Sequence, residues 1–330
     1  MPAGNAGAGS VSTMELRRAG RSGLLVSSIG LGTLTWGRDT DEHEAAEQLS
    51  VFLDAGGTFI DTAASYGQGR SEELLGHLLA EVDRRDVVLC SKAGVRTSTG
   101  RVDASRGTLL DTLDDTLATL GTDHLDLWLV QSPDLSVAPE ETLSALRYAV
   151  ASGRTRYVGL SNHPAWYTGY ASASLADDGV GLAAVEVEYS LLQRSAEAEL
   201  LRGADALGYG VLIWSPLGRG VLTGKYRSTI PADSRAASPH LRGFVEPYLT
   251  DRVHGIVEAV ATAADGLDRT PTEVALAWGR DAPGVSSAIV GARTAAQLRG
   301  VLGAVDLELP DAIRGGLDDV SRRAGLSPAR

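Results

Sequence analysis

Along most of the chain, short and nearly continuous apolar runs alternate with longer stretches of mixed character. The clearest runs are Leu125–Val130, 156–160, 183–189, Gly210–Trp214 and 287–290. Runs that are apolar at almost every position are typical of parallel strands buried on both faces. With the earlier runs at 28–33, 58–60 and 87–91 there are eight strands, and their alternation with helices predicts an α/β fold, a (β/α)8 TIM barrel.

The stretches between the runs carry apolar residues at helical spacing. Three predicted helix faces are formed by Ala45, Leu49, Phe52 and Leu53, by Leu109, Leu113, Leu117 and Leu120, and by Leu143, Leu146, Ala149 and Val150.

Two segments depart from this alternation. Residues 14–18 and 24–26 predict an N-terminal β-hairpin before the first barrel strand. Residues 224–250, after the seventh strand, contain several prolines and no clear period, which is typical of a lid or binding loop. Helices are predicted at 251–264 and 272–280, and one of them is extra relative to a minimal barrel.

Composition narrows the class of protein. The 330 residues are 43% hydrophobic, and the net charge of -12 argues against a nucleic-acid partner. No apolar run approaches the roughly 20 residues of a membrane span, and a single cysteine fits a reducing cytoplasm. We therefore expect a cytoplasmic protein with one domain at 14–330, preceded by a disordered, uncharged tail at 1–13 that lacks a signal-peptide pattern.

The segment 59–76 reads Phe-Ile-Asp-Thr-Ala-Ala-Ser-Tyr-Gly-Gln-Gly-Arg-Ser-Glu-Glu-Leu-Leu-Gly and contains candidate chemistry. It has the composition of a strand end, a glycine turn and a helix start, with Ser71 as the predicted helix cap. Asp61 and Tyr66 lie between the strand and the helix, at the barrel end where active sites are built. A simple turn would not require this acid and this phenol.

Lysine is used sparingly in this chain. Of the 30 Lys and Arg residues, only Lys92 and Lys225 are lysines. Arginine evidently supplies the surface charge. Each of the two lysines is therefore expected to do something that arginine cannot. A lysine ammonium, for example, is a compact charge whose pKa responds to burial. Lys92 follows an apolar run and is expected at the end of the strand beside Asp61.

These segments resemble the aldo-keto reductase family, from about residue 14 to residue 309. Asp61 and Tyr66 are similar to the family's Asp…Tyr signature, and Lys92 matches its active-site lysine. The resemblance implies reduction of an aldehyde or ketone, with hydride from the nicotinamide and a proton from Tyr66. Lys92 would lower the pKa of the phenol, and Asp61 would keep Lys92 charged and oriented. The hairpin would close the barrel floor.

The departure that matters most is Gln131. Residues 124–134 match the family's fourth strand, which usually carries His where this chain has Gln131. An amide still donates a hydrogen bond to a substrate oxygen, but it does not titrate. His163 follows a later strand and is expected on the surface or at the rim of the site.

The resemblance also implies how NADPH/NADP+ would be held. Trp214 would stack on the nicotinamide, and Arg293 suits a 2′-phosphate, which favours NADPH over NADH. Glu186 replaces the usual Gln for the carboxamide, while Gly300 and Val301 replace a Glu-Asn pair that commonly contacts adenine. The expected cofactor contacts are Thr33, Ser161, Asn162, Glu186, Trp214, Ser215, Leu217, Arg219, Gly220, Lys225, Gly291, Arg293 and Gln297.

Trp36, Tyr66 and Gln131 are the expected substrate contacts, and the expected partner is a small-molecule carbonyl compound. Neither nucleic acid, membrane nor metal is predicted as a partner, and the oligomeric state is not indicated. Three functions stay open: a general carbonyl reductase, a pathway-specific reductase of a nucleotide-linked deoxysugar or another secondary metabolite, and an NADPH-holding regulatory subunit with negligible turnover.

Overall fold

The computed structural model describes residues 14–231, 234–238 and 241–323, so the predicted tail at 1–13 lies outside the described residues. The first two strands, β1 (Leu16–Arg18) and β2 (Leu25–Ser27), pair as an antiparallel hairpin. Within these ranges, no helix combines the length and the apolar character needed to cross a membrane.

Eight parallel strands follow and close into a barrel. The eighth barrel strand pairs with both the first and the seventh barrel strands. This confirms the predicted (β/α)8 architecture. The strands are β3 (Ile29–Gly32), β4 (Phe59–Asp61), β5 (Val88–Ala93), β6 (Leu125–Val130), β7 (Thr155–Ser161), β8 (Leu182–Glu188), β9 (Gly210–Trp214) and β10 (Val285–Val290).

Helices surround the barrel and cover its outer face. All four leucines of the predicted face at 109–120 are buried, because their spacing places them on one side of a helix. The helices are α1 (Glu42–Asp54), α2 (Arg70–Leu79), α3 (Arg106–Leu120), α4 (Pro139–Ala151), α5 (Ala165–Ala176), α6 (Leu200–Leu207), α7 (Arg242–Val245), α8 (Asp251–Leu267), α9 (Pro271–Arg280), α10 (Ala295–Leu302) and α11 (Asp311–Arg323).

The hairpin covers the barrel end at which the strands begin. Ala19, Leu24 and Val26 are buried in one cluster with apolar side chains of the barrel interior. The backbone N–H of Arg21 donates to the carbonyl of Gly208, just before β9, at 2.8 Å. The floor is therefore closed as expected, and the opposite end of the barrel is left open.

The turn after β4 follows the prediction except at its helix cap. Gly67 and Gly69 both have positive φ, of 58° and 92°. Helix α2 begins at Arg70 with Gly69 in the cap position. Ser71 is not the cap, because its hydroxyl is buried and donates to the carbonyl of Thr33 at 2.8 Å. It ties the helix to the segment that follows β3.

The long connection at 224–250 contains helical turns that the sequence pattern did not reveal. Helix α7 is followed directly by a 3-10 turn at Glu246–Tyr248, and Val245 and Tyr248 are buried. Both predicted helices, α8 and α9, then precede β10, so one of them is extra relative to a minimal barrel, and the short α7 is a further addition to this unit.

We expect Gly20→Ala to destabilise the protein by about 1–3 kcal/mol, the usual range for overpacking. Gly20 has φ 58°, and an added Cβ would lie 2.3 Å from the carbonyl oxygen of Gly208, so the hairpin would have to shift. The thermal unfolding midpoint of the variant measures the loss.

Gly107→Ala is the matched control for this substitution. It lies inside α3, and an added Cβ there would meet no atom within 4 Å. Helix propensity should make it neutral or stabilising by up to about 1 kcal/mol. Equal midpoints for the two variants would contradict the tight contact between the hairpin and the barrel.

Candidate active site

A cavity of about 570 Å³ opens at the barrel end where the strands finish, a size that suits a small-molecule ligand. It is lined by residues from several strand ends, which the closure of the barrel brings together. The predicted site residues that line it are Asp61, Tyr66, Lys92, Gln131, Ser161, Asn162, Glu186, Trp214, Ser215, Leu217, Arg219, Gly220, Lys225, Gly291, Arg293 and Gln297.

Thr33 and Trp36 were predicted in the site, but neither belongs to this lining. The backbone N–H of Thr33 donates to the carbonyl of Asp61 at 3.0 Å, and the Thr33 side chain is buried. The indole of Trp36 is fully buried and donates to the side-chain oxygen of Gln48 at 3.1 Å. Both residues support the wall of the barrel mouth and do not face the cavity.

Lys92 is the centre of the charged part of the site, and its side chain is 1% exposed. Its ammonium donates to both carboxylate oxygens of Asp61 at 2.6 Å and to the hydroxyl of Tyr66 at 3.3 Å. A carboxylate oxygen of Glu186 lies 3.3 Å away on the other side. The structure thus brings Asp61, Tyr66 and Lys92 together, as the sequence suggested.

The environment of Tyr66 keeps its phenol protonated. Burial is the largest influence and raises the pKa of Tyr66 above its ordinary value, with Asp61 and Glu186 acting in the same direction. Lys92 lowers this pKa, as expected from the sequence, but does not outweigh burial.

Lys92 itself remains charged. Burial alone would lower the pKa of Lys92, but the attraction of Asp61 and then of Glu186 outweighs it and raises the pKa well above its ordinary value. A charged ammonium 3.3 Å from the phenol oxygen can stabilise negative charge that develops there.

Gln131 follows β6 and is held in a defined orientation. The hydroxyl of Ser65 donates to its side-chain oxygen at 2.9 Å, and the side-chain amide of Asn162 donates to its backbone carbonyl at 3.1 Å. With its oxygen engaged by Ser65, the amide NH2 is the group that Gln131 can offer to a ligand. Ser65 was missed by sequence reasoning, although it directly precedes Tyr66.

His163 is buried and not at the rim, which corrects the sequence-based expectation. Its Nδ1 lies 2.8 Å from the carbonyl of Ser161, its ring contacts Tyr167, and it is absent from the cavity lining. Burial lowers the pKa of His163 to about 4, so its imidazole is neutral at ordinary pH. It cannot replace a titrating histidine at position 131.

Three non-glycine residues around the cavity adopt left-handed backbone angles: Asn162 at φ 60°, Ser215 at φ 52° and Arg219 at φ 58°. Such conformations cost about 1–3 kcal/mol each and occur preferentially at functional sites. The side-chain oxygen of Asn162 accepts from the indole of Trp214 at 3.0 Å, which links the ends of β7 and β9.

Arg219 is engaged by protein groups, although it was predicted to meet phosphate. Its guanidinium forms a two-pronged ion pair with Glu188 at 2.8 and 2.7 Å, and it donates to the carbonyl of Phe244 at 2.6 Å. It also lies 3.9 Å from the centre of the Phe244 ring, which stacks near Trp214. Through these contacts Arg219 fastens the long connection to the cavity mouth. Neither Glu188 nor Phe244 was expected from the sequence.

The far end of the cavity lies at the start of α10. The side-chain oxygen of Gln297 accepts from the backbone N–H of Arg293 at 3.1 Å. Among the described residues, no carboxylate pairs with the Arg293 guanidinium. The backbone of Gly220 and the Lys225 ammonium lie close together, since an added Cβ at Gly220 would lie only 3.1 Å from the ammonium nitrogen. These cationic side chains, with glycines between them, fit the phosphates of a dinucleotide.

Comparison with known proteins agrees with this geometry. A family model described as the aldo/keto reductase family matches residues 28–321. A probable voltage-gated potassium channel subunit beta of Arabidopsis thaliana is 34% identical over 302 residues, covering 89% of this chain and 92% of the relative. The oxidoreductase YrpG of Bacillus subtilis is 32% identical over 320 residues, covering 93% and 96%. The aldo-keto reductase YhdN of the same species is 30% identical over 296 residues, covering 86% and 87%. The chain therefore belongs to the aldo/keto reductase family, a family of oxidoreductases.

Proposed function

We propose that this oxidoreductase uses NADPH to reduce the carbonyl group of an aldehyde or ketone to an alcohol. The observation that carries the proposal is Tyr66, which lines the cavity and whose hydroxyl lies 3.3 Å from the buried, charged Lys92. A protonated phenol beside a fixed cation is a proton donor whose product, the phenolate, is stabilised where it forms.

Each residue of the cluster has a part in this reaction. Bound nicotinamide would supply the hydride to the carbonyl carbon. Tyr66 donates its proton to the carbonyl oxygen, and Lys92 stabilises the phenolate that remains. Asp61 keeps the ammonium in place, and the amide NH2 of Gln131 orients the carbonyl oxygen by a hydrogen bond.

The cofactor would extend from the cluster to α10. We propose that Trp214 packs against the nicotinamide, that Lys225 meets the pyrophosphate and that Arg293 pairs with a 2′-phosphate. The last contact favours NADPH over NADH. We also propose that the protein is located in the cytoplasm.

A regulatory subunit that holds the cofactor is the second candidate. It is supported by the channel-subunit name of a relative and by Gln131, which cannot take part in proton transfer. Oxidation of NADPH in the presence of a panel of aldehydes and ketones separates the two functions. Tight NADPH binding with no turnover of any of these carbonyl compounds would favour the subunit.

We expect Lys92→Met to lower kcat by about 10²–10³, the range for losing one preorganised electrostatic group, with little change in NADPH affinity. Lys225→Met is the matched control at the only other lysine of the chain. It should weaken NADPH binding and leave kcat largely unchanged. Steady-state kinetics and NADPH fluorescence titration measure the two effects. Unchanged turnover in Lys92→Met would remove Lys92 from the proposed mechanism.

We expect Arg293→Ala to raise the KM for NADPH by about 10- to 150-fold, the loss of one charge-assisted contact, and to change the KM for NADH far less. Arg299→Ala is the matched control, because Arg299 lies on α10, the helix that follows Arg293, and pairs with Glu47 at 2.7 Å. It should leave both KM values close to wild type. An unaltered NADPH/NADH preference in Arg293→Ala would count against the 2′-phosphate contact.

Position 131 is tested by the pH dependence of kcat/KM for a ketone. Gln131→His should add a step at about pH 6.5, with activity lost as the histidine ring deprotonates. Gln131→Ala should lower kcat/KM by up to about 10-fold through loss of a hydrogen-bond donor, without adding a step. Glu72, whose pKa burial raises to about 7, is common to all three proteins, so the added step is read from their difference. The kcat/KM profile of Gln131→His could instead have the same shape as the wild-type profile after scaling. That result would show that residue 131 does not contact the reacting oxygen.

A further inference from the structure

Glu186, which the sequence suggests as a contact of the carboxamide, also lies beside the charged cluster. It lies in β8, on the side of the barrel opposite β4 and its Asp61. Glu186 is 3% exposed, and one of its carboxylate oxygens accepts from the hydroxyl of Ser161 at 3.3 Å. The other oxygen lies 3.3 Å from the Lys92 ammonium but has no aligned hydrogen-bond donor. Lys92 is thus flanked by two carboxylates from opposite walls.

The charge count of this cluster depends on Glu186. With Glu186 protonated, Asp61 and Lys92 cancel each other. With Glu186 ionised, the cluster carries one net negative charge beside the Tyr66 hydroxyl. An extra negative charge at this distance opposes formation of the phenolate.

The groups that face Glu186 come from three neighbouring segments. They are Asp61 on β4, Cys90 and Lys92 on β5, and Tyr66 on the turn after β4. Burial raises the pKa of the Cys90 thiol well above its ordinary value, so Cys90 adds no charge. Burial, and then Asp61, raise the pKa of Glu186 above its ordinary value. Glu186 therefore ionises at higher pH than an ordinary carboxyl group.

We propose that Glu186 is a positioning residue that acts on Tyr66 through Lys92 and holds the phenol in its protonated form in alkaline solution. This inference rests on the proposed reductase function, in which a protonated Tyr66 is required. The consequence is that carbonyl reduction persists to higher pH than it would with a neutral residue at position 186.

Glu186→Gln is the informative variant. It removes the ionisable group while keeping its size, and glutamine is the residue that the family usually has at this position. The alkaline limb of kcat/KM for ketone reduction should move to lower pH by about one unit or more. The rising limb of alcohol oxidation with NADP+, which requires the phenolate, should move in the same direction by the same amount.

Glu72→Gln is the matched control. Glu72 is also a buried carboxyl group, and it accepts hydrogen bonds from Ser91 and Thr116 without facing Tyr66. Loss of this group should leave both limbs in place. Circular dichroism at each pH shows whether each variant remains folded during the assay.

A second readout does not depend on turnover. The tyrosinate absorbance of Tyr66 is obtained as the difference between each protein and its Tyr66→Phe counterpart during a pH titration. The Tyr66 signal should develop at lower pH in Glu186→Gln than in wild type. An unshifted signal, or an equal shift in Glu72→Gln, would overturn the role of Glu186. Absence of turnover together with a shifted signal would instead reject the reductase proposal and keep the inference.

Discussion

The buried ammonium of Lys92 is the interaction on which the rest of the site depends. Burying an unpaired ammonium in a protein interior costs several kcal/mol of free energy. This cost is a large fraction of the net free energy of unfolding of a domain. Asp61 offsets this cost with two contacts at 2.6 Å, and Glu186 approaches from the opposite wall. Three strand ends must therefore be held around one point, and a closed barrel does this without relying on flexible loops.

The barrel separates this charged layer from an apolar one. Below Lys92 the interior is filled by side chains such as Phe59, Leu129 and Leu212, on which the hairpin packs. The side chains of Lys92, Asp61 and Glu186 are themselves no more than 4% exposed. The charges of the cluster are consequently little screened, and each one has a strong effect on the protonation of its neighbours. The same closure that stabilises the fold makes the phenol of Tyr66 sensitive to its surroundings.

The strand and helix pattern predicted the barrel because parallel strands buried on both faces must be apolar throughout. Asp61, Lys92 and Gln131 could be placed at strand ends for the same reason, since charged or amide groups interrupt or follow apolar runs. The sequence pattern does not indicate in which direction a side chain within a turn points. Trp36 and His163 lie near the mouth, but their side chains point into the wall. The indole N–H of Trp36 donates to Gln48, and Nδ1 of His163 faces the carbonyl of Ser161. Partners distant in sequence, such as Glu188 for Arg219, are fixed only by packing of the long connection.

Two parts of the site control different steps. The Asp61–Lys92–Glu186 cluster governs the proton on Tyr66, because Gln131 does not titrate and the pKa of His163 is lowered to about 4. The contacts of Arg219 with Glu188 and Phe244 govern how firmly the long connection rests on the mouth. Under the proposed function, the protonation of Tyr66 and the anchoring of the long connection therefore depend on two separate groups of interactions, one at the strand ends inside the barrel and one at its mouth.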